Sequence, residues 1–173
     1  MLLEKYLDIR GKSVINRKGI LMGTIESLII DITNKKINSL MVCSTLFFTS
    51  YYIIPLKNIK CFCDPIEYSG RIYKIKKSII VRNKKIVLQN HMDSEIVDVC
   101  GRNLGKLIDI IFDIKSGDIK SLILSSGFFE DIFDGRNIIA VNSKTKFKRN
   151  RIIVDESSFD MKNDVYFKKF LKE

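Results

Sequence analysis

The sequence predicts a mainly β protein made of two tandem small β-barrels followed by a short C-terminal helix. The chain overlays itself at an offset of 82 residues. Each half carries short β-branched and aromatic runs separated by turn signals. No long segment before the C-terminus spaces its apolar residues at helical intervals. A chain of 173 residues, 46% hydrophobic and 29% charged, has apolar material for two small cores.

At the 82-residue offset Val14 to Ser44 lies over Ile96 to Ser126 without a gap. The nine identities are Gly19/Gly101, Gly23/Gly105, Ile29/Ile111, Asp31/Asp113, Ile32/Ile114, Ile37/Ile119, Ser39/Ser121, Leu40/Leu122 and Ser44/Ser126. Average residue usage would give about two. Apolar pairs such as Val14/Ile96, Ile25/Leu107 and Leu28/Ile110 fill much of the remainder. Two copies of about eighty residues make two domains rather than a solenoid. The boundary is placed between residues 84 and 85, so that copy 1 is 1–84 and copy 2 is 85–173 with the helix.

Taken along the chain, Gly19 and Gly101 mark turns between strands, while Gly23 and Gly105 allow close backbone approach at a bulge or barrel corner. The apolar runs Leu28, Ile29, Ile30 and Ile32, and Ile110, Ile111, Phe112 and Ile114, then read as strands, with Asp31 and Asp113 at their ends. Each enters a turn: Thr33-Asn34-Lys35-Lys36, where Asn34 is expected to carry positive φ, and Lys115-Ser116-Gly117-Asp118, where Gly117 is. Ile37 to Val42 and Ile119 to Leu124 complete two hairpins. A helical turn is expected over 128–134. Val165, Tyr166, Phe167, Phe170 and Leu171 form one face of the C-terminal helix, capped by Ser157 or Ser158.

The same residues resemble the PRC-barrel family, found in the H subunit of the photosynthetic reaction centre and in ribosome-maturation factors of the RimM type. The pattern is Asp8 to Ile15, then Gly19, Gly23 and Asp31, repeated as Val97, Gly101, Gly105, Asp113 and Gly117. Ile53-Ile54-Pro55-Leu56-Lys57-Asn58-Ile59 resembles the family's later strand, with Ala140 in place of the Pro in copy 2. Gly127 to Arg136, spaced Gly-x-x-x-Asp-x-x-x-Gly-Arg, is similar to two-copy proteins of spore-forming bacteria. The resemblance implies roughly six-stranded barrels and a non-enzymatic adaptor in sporulation or envelope processes, in contact with protein or RNA.

Chemistry-bearing motifs are sparse. The Gly19/Gly23 spacing fits neither a dinucleotide fingerprint nor a phosphate loop. His91 is the only histidine, lies in linker-like Gln89-Asn90-His91-Met92, and reads as a surface or structural residue rather than a catalytic one. Cys61-Phe62-Cys63 is one residue too close for a zinc knuckle, and Cys43, Cys61, Cys63 and Cys100 read as thiols. Asp31 and Asp113 read as acceptors for turn amides rather than as an acid–base pair. No catalytic residue, cofactor or metal is expected.

The formal net charge of +10 is concentrated. Arg71, Lys74, Lys76, Lys77, Arg82, Lys84 and Lys85 form one acid-free run; Arg136, Lys144, Lys146, Lys148, Arg149 and Arg151 form another. Alternation places Lys74/Lys76 and Lys144/Lys146/Lys148 on one side of a strand, as a basic binding surface or as protection of a sheet edge. Phe47, Phe48, Tyr51 and Tyr52, and in copy 2 Phe128, Phe129 and Phe133, do not interleave with the cations as base-stacking platforms do, and read as plugs or protein contacts. The expected partner is a protein of unknown identity; RNA or the ribosome, and an anionic membrane surface met by Phe167, Phe170 and Leu171 with Lys168, Lys169 and Lys172, are the other readings. No apolar run reaches the ~20 residues of a membrane span, and a cytoplasmic location is expected.

Overall fold

In both copies a short strand is followed by a glycine turn, a long strand and a hairpin, as the repeat dictates. A computed structural model of the chain describes residues 2–45, 48–82, 86–125, 138–148 and 150–155. The expected turn at 128–134 and the C-terminal helix lie outside these residues. The chain divides into two compact units: residues up to Asn90 together with Phe112–Asp118, and His91–Ile111 with the residues from Ile119 onward.

In the first unit β1 (Leu3–Lys5) leads into a single helical turn, α1 (Tyr6–Ile9). There follow β2 (Ser13–Asn16), β3 (Leu21–Asp31), β4 (Lys36–Ser44), β5 (Ser50–Pro55), β6 (Ile59–Cys61), β7 (Ile66–Tyr68), β8 (Tyr73–Ile75) and the short α2 (Lys77–Arg82). The second repeat supplies β9 (Glu95–Val97), β10 (Asn103–Asp113), β11 (Ile119–Leu124), β12 (Ile138–Ala140), β13 (Lys146–Phe147) and β14 (Arg151–Ile153). The starts of β9 and β10 fall 82 residues after those of β2 and β3, so the sequence repeat is a structural one.

Hydrogen bonding orders the first sheet β6-β7-β2-β3-β4-β5-β8. The second runs β13-β14-β9-β10-β11-β12, the same order as β6 to β5 of the first, with β8 as the strand that has no counterpart along this path. Each contains one parallel pair, β2 with β7 and β9 with β14, among antiparallel neighbours. Val14 faces Ile66 there and Ile96 faces Ile152, and all four are fully buried. Each fully buried aliphatic side chain of this kind stabilises the fold by about 1.5–3 kcal/mol. Leu28, Leu40 and Ile54 continue the first core; Leu107, Ile110 and Leu122 continue the second.

The second glycine of each copy sits at a bulge. Register shifts between Val14 and Ile15 opposite Gly23, and between Asn103 and Gly105, leave one extra residue in the long strand. Gly23 has φ +141° and Gly105 φ +130°, conformations that side chains disfavour.

The hairpin turns differ from expectation at one residue. In the first copy positive φ falls on Lys35 (54°), not on Asn34, and Lys35 is the counterpart of Gly117 (77°). Asn34 instead donates from Nδ2 to Asp31 Oδ2 at 2.7 Å. The tip of the second hairpin belongs to the first unit: Ile37 N–H donates to the Gly117 carbonyl at 2.7 Å, and Ile114 N–H to Leu2 at 2.9 Å.

Candidate functional site

Only one lysine of each basic run lies on a strand at the end of its sheet, so the expected alternation of Lys74/Lys76 and of Lys144/Lys146/Lys148 along a strand is not formed: β8 stops at Ile75, and β13 holds Lys146 and Phe147 alone. Lys74 is on β8, at one end of the first sheet, and Lys146 is on β13, at the opposite, β6-equivalent end of the second. Arg71, Lys74, Lys76, Lys144, Lys146, Lys148 and Arg151 are exposed. Lys84, Lys85, Arg136 and Arg149 lie outside the described residues; Lys77 and Arg82 occupy the ends of α2. The second row is partly neutralised. Lys144 Nζ meets Asp155 Oδ2 at 2.8 Å, a bond that raises the lysine's pKa, and Arg151 meets Glu95 at 3.1 Å. Asp155 is buried and also accepts from Asn142 Nδ2 at 2.9 Å, so Lys144 is tied into the second barrel.

The equivalent aspartates close equivalent turns. Asp31 Oδ1 accepts from Thr33 and Asn34 N–H, each at 3.0 Å. Asp113 Oδ1 accepts from Lys115 at 2.8 Å and Ser116 at 3.1 Å. A third carboxylate, Asp98, holds the turn before Gly101 through the Arg102 side chain and backbone N–H.

All three carboxyls are held below the ordinary aspartate range. For Asp31 the Asn34 bonds dominate; for Asp98 and Asp113 burial opposes ionisation and is outweighed by the Arg102 bonds and the turn amides respectively. A depressed folded pKa means stability that is present above the unfolded value and lost as pH falls through the folded one. The urea midpoint is therefore expected to hold from pH 7 to about 5 and to fall below about pH 4. Glu4, raised by desolvation, works in the opposite sense, favouring the folded state slightly at acid pH. A midpoint rising steadily toward pH 3 would contradict the assignment.

The turn glycines Gly19 (φ +72°) and Gly101 (φ +84°) stand in open space. His91, read as linker, is buried instead, its ring edge-on to Phe147 at 6.1 Å in the second unit. The reason is the 3-10 turn Leu88–His91, which carries the ring inward. Phe48 is 85% exposed, Tyr51 and Tyr52 are half-buried on β5, and Phe47, Phe128, Phe129 and Phe133 lie outside the described residues.

Within the first unit is a cavity of about 620 Å³. Leu56, Ile59, Phe62 and Ile114 give it an apolar wall, Lys57, Lys60 and Lys115 bring positive charge, and Glu4 is the acid present. Cys61 and Cys63 also line it, and here the thiol expectation is corrected: the two are joined by a disulfide. Strand geometry would hold i and i+2 side chains too far apart, but the chain leaves β6 at Phe62 and brings the Cα atoms to 5.3 Å, within disulfide range. Among the described residues no cluster of His, Cys, Asp and Glu could hold a metal ion, and no helix is long and apolar enough to cross a membrane.

The sequence profile of the PRC-barrel domain matches twice, at residues 3–88 and 92–161. The chain belongs to the PRC-barrel family. It is a tandem PRC-barrel protein, mainly β, and the family's fold is a binding module. A comparison with curated proteins gives no match. Register explains how copy 2 accommodates Ala140: it faces Ser121 as Pro55 faces Ser39, so both PRC barrels end this strand at the same place with different residues.

Proposed function

We propose that this tandem PRC-barrel protein is a cytoplasmic, non-enzymatic adaptor that holds another protein, in sporulation or envelope-related processes. The observation that carries the reading is the double match to the PRC-barrel domain, and the use of four aspartates agrees with it. Asp31, Asp98, Asp113 and Asp155 are each bound into a turn or an ion pair, so none is presented to a substrate as an acid or base. The process follows from the resemblance to two-copy proteins of spore-forming bacteria. Affinity purification of the tagged chain from native cells is expected to recover a stoichiometric protein partner that survives nuclease treatment. Recovery of nucleic acid alone would transfer the role to the edge lysines Lys74, Lys76, Lys146 and Lys148. RNA affinity would then fall steeply between low and physiological salt, and charge reversal at those lysines would abolish it.

A further inference from the structure

We infer that Cys61 and Cys63 form a reversible dithiol–disulfide couple that exchanges with small anionic thiols entering the cavity of the first unit. The disulfide closes a loop of only three residues, where constraint of the unfolded chain is least, so it is poorly suited to be a staple. It is accessible: Cys63 is exposed and Cys61 half-buried, Cys61 ending β6, an outer strand of the first sheet, and Cys63 lying just beyond it. The cavity volume is within the range of small-ligand sites. Lys57, Lys60 and Lys115 give the same cavity the positive charge that favours thiolates and attracts carboxylate-bearing thiols.

The two sulfurs are not equivalent. The Cys63 backbone N–H donates to Cys61 Sγ at 3.1 Å, a bond that strengthens when that sulfur carries negative charge. Cys61 is therefore the better leaving group. An incoming thiolate RS⁻ attacks Cys63 Sγ, forming R–S–S–Cys63; the Cys61–Cys63 bond breaks and its electron pair leaves on Cys61 as thiolate. A second RS⁻ attacks the R sulfur of the mixed disulfide, releasing RSSR and the Cys63 thiolate. Two RSH supply the protons that the two cysteines retain, so one protein disulfide and two thiols become one protein dithiol and one small disulfide.

The full chain equilibrated with graded ratios of reduced to oxidised glutathione, then alkylated and mapped by mass spectrometry, tests this. Cys61 and Cys63 are expected to convert together across the series while circular dichroism stays constant. Exchange by glutathione, relative to uncharged 2-mercaptoethanol at equal thiolate concentration, is expected to drop about threefold or more in the Lys57→Glu/Lys60→Glu variant or in 1 M salt. In single-thiol variants, Cys61 in C63S is expected to alkylate about tenfold faster than Cys63 in C61S. A pair that remains wholly alkylated, or wholly protected, at every ratio overturns the couple. Equal glutathione and 2-mercaptoethanol responses to charge reversal overturn the ligand class.

Discussion

Gly23→Ala is expected to destabilise the first barrel by about 3–5 kcal/mol. A Cβ built on Gly23 lies 2.1 Å from the carbonyl oxygen of Cys43 and 2.7 Å from its carbon, both backbone atoms that no rotamer change can move aside. The φ of +141° adds strain of its own, because a Cβ disfavours that region. Gly19→Ala separates the two causes. Its φ of +72° is also positive, but nothing lies within 4 Å of the new atom, so only the conformational cost of about 1–2 kcal/mol remains. Gly105→Ala, the counterpart in the second barrel, places Cβ 2.8 Å from the Ser125 carbonyl oxygen and is expected to fall between them. Urea unfolding of the three variants measures the series. Equal losses for Gly19→Ala and Gly23→Ala would show that the close approach of β3 and β4 is not what requires glycine.

That approach shows why so much of the fold is legible in the residues. Cys43 and Ser125, the carbonyls that exclude a side chain, are themselves 82 residues apart, so the repeat encodes the glycine and its obstacle together. Hairpins are local, and alternating apolar residues with turn signals fix their register over a few positions. Asp31 and Asp113 can be read for the same reason, since the amides they bind are two and three residues away. The parallel pairs are not local. Nothing in Ile66 to Tyr68 announces Val14 to Asn16 as neighbours, because the connection runs through four other strands. Lys35 has a different cause: the Asn34 side chain is engaged by Asp31, and the positive φ falls on the residue after it. The Cys61–Cys63 bond is not legible because strand alternation gives no sign that β6 ends at Cys61, two residues before Cys63. The Lys144–Asp155 bond likewise removes a cation from a row that looks uniform in one dimension.

Phe112→Ala is expected to cost about 3–5 kcal/mol and to register in the first unit, although the residue is numbered within the second repeat. Phe112 is fully buried, and its ring meets Phe62 edge-on at 6.5 Å. It occupies the position that Ile30 fills in the first copy, and the substitution of an aromatic for an aliphatic residue there has a spatial reason. The segment Phe112–Asp118 packs as part of the first unit, with Gly117 against Ile37 and Ile114 hydrogen-bonded to Leu2. Removing the ring deletes a fully buried aromatic side chain of that segment, and a cavity of aromatic size collapses only in part. Native-state hydrogen exchange distinguishes the outcomes. The Ile37 and Ile114 amides are expected to lose protection first, while the Leu107 amide, bonded to Ser94 at 3.0 Å, and the Val154 amide, bonded to Val97 at 2.9 Å, retain theirs at moderate denaturant. Early loss at Leu107 and Val154 with Ile37 unchanged would mean that the hairpin tip takes its stability from the second repeat, and the division of the chain would have to be redrawn at Phe112.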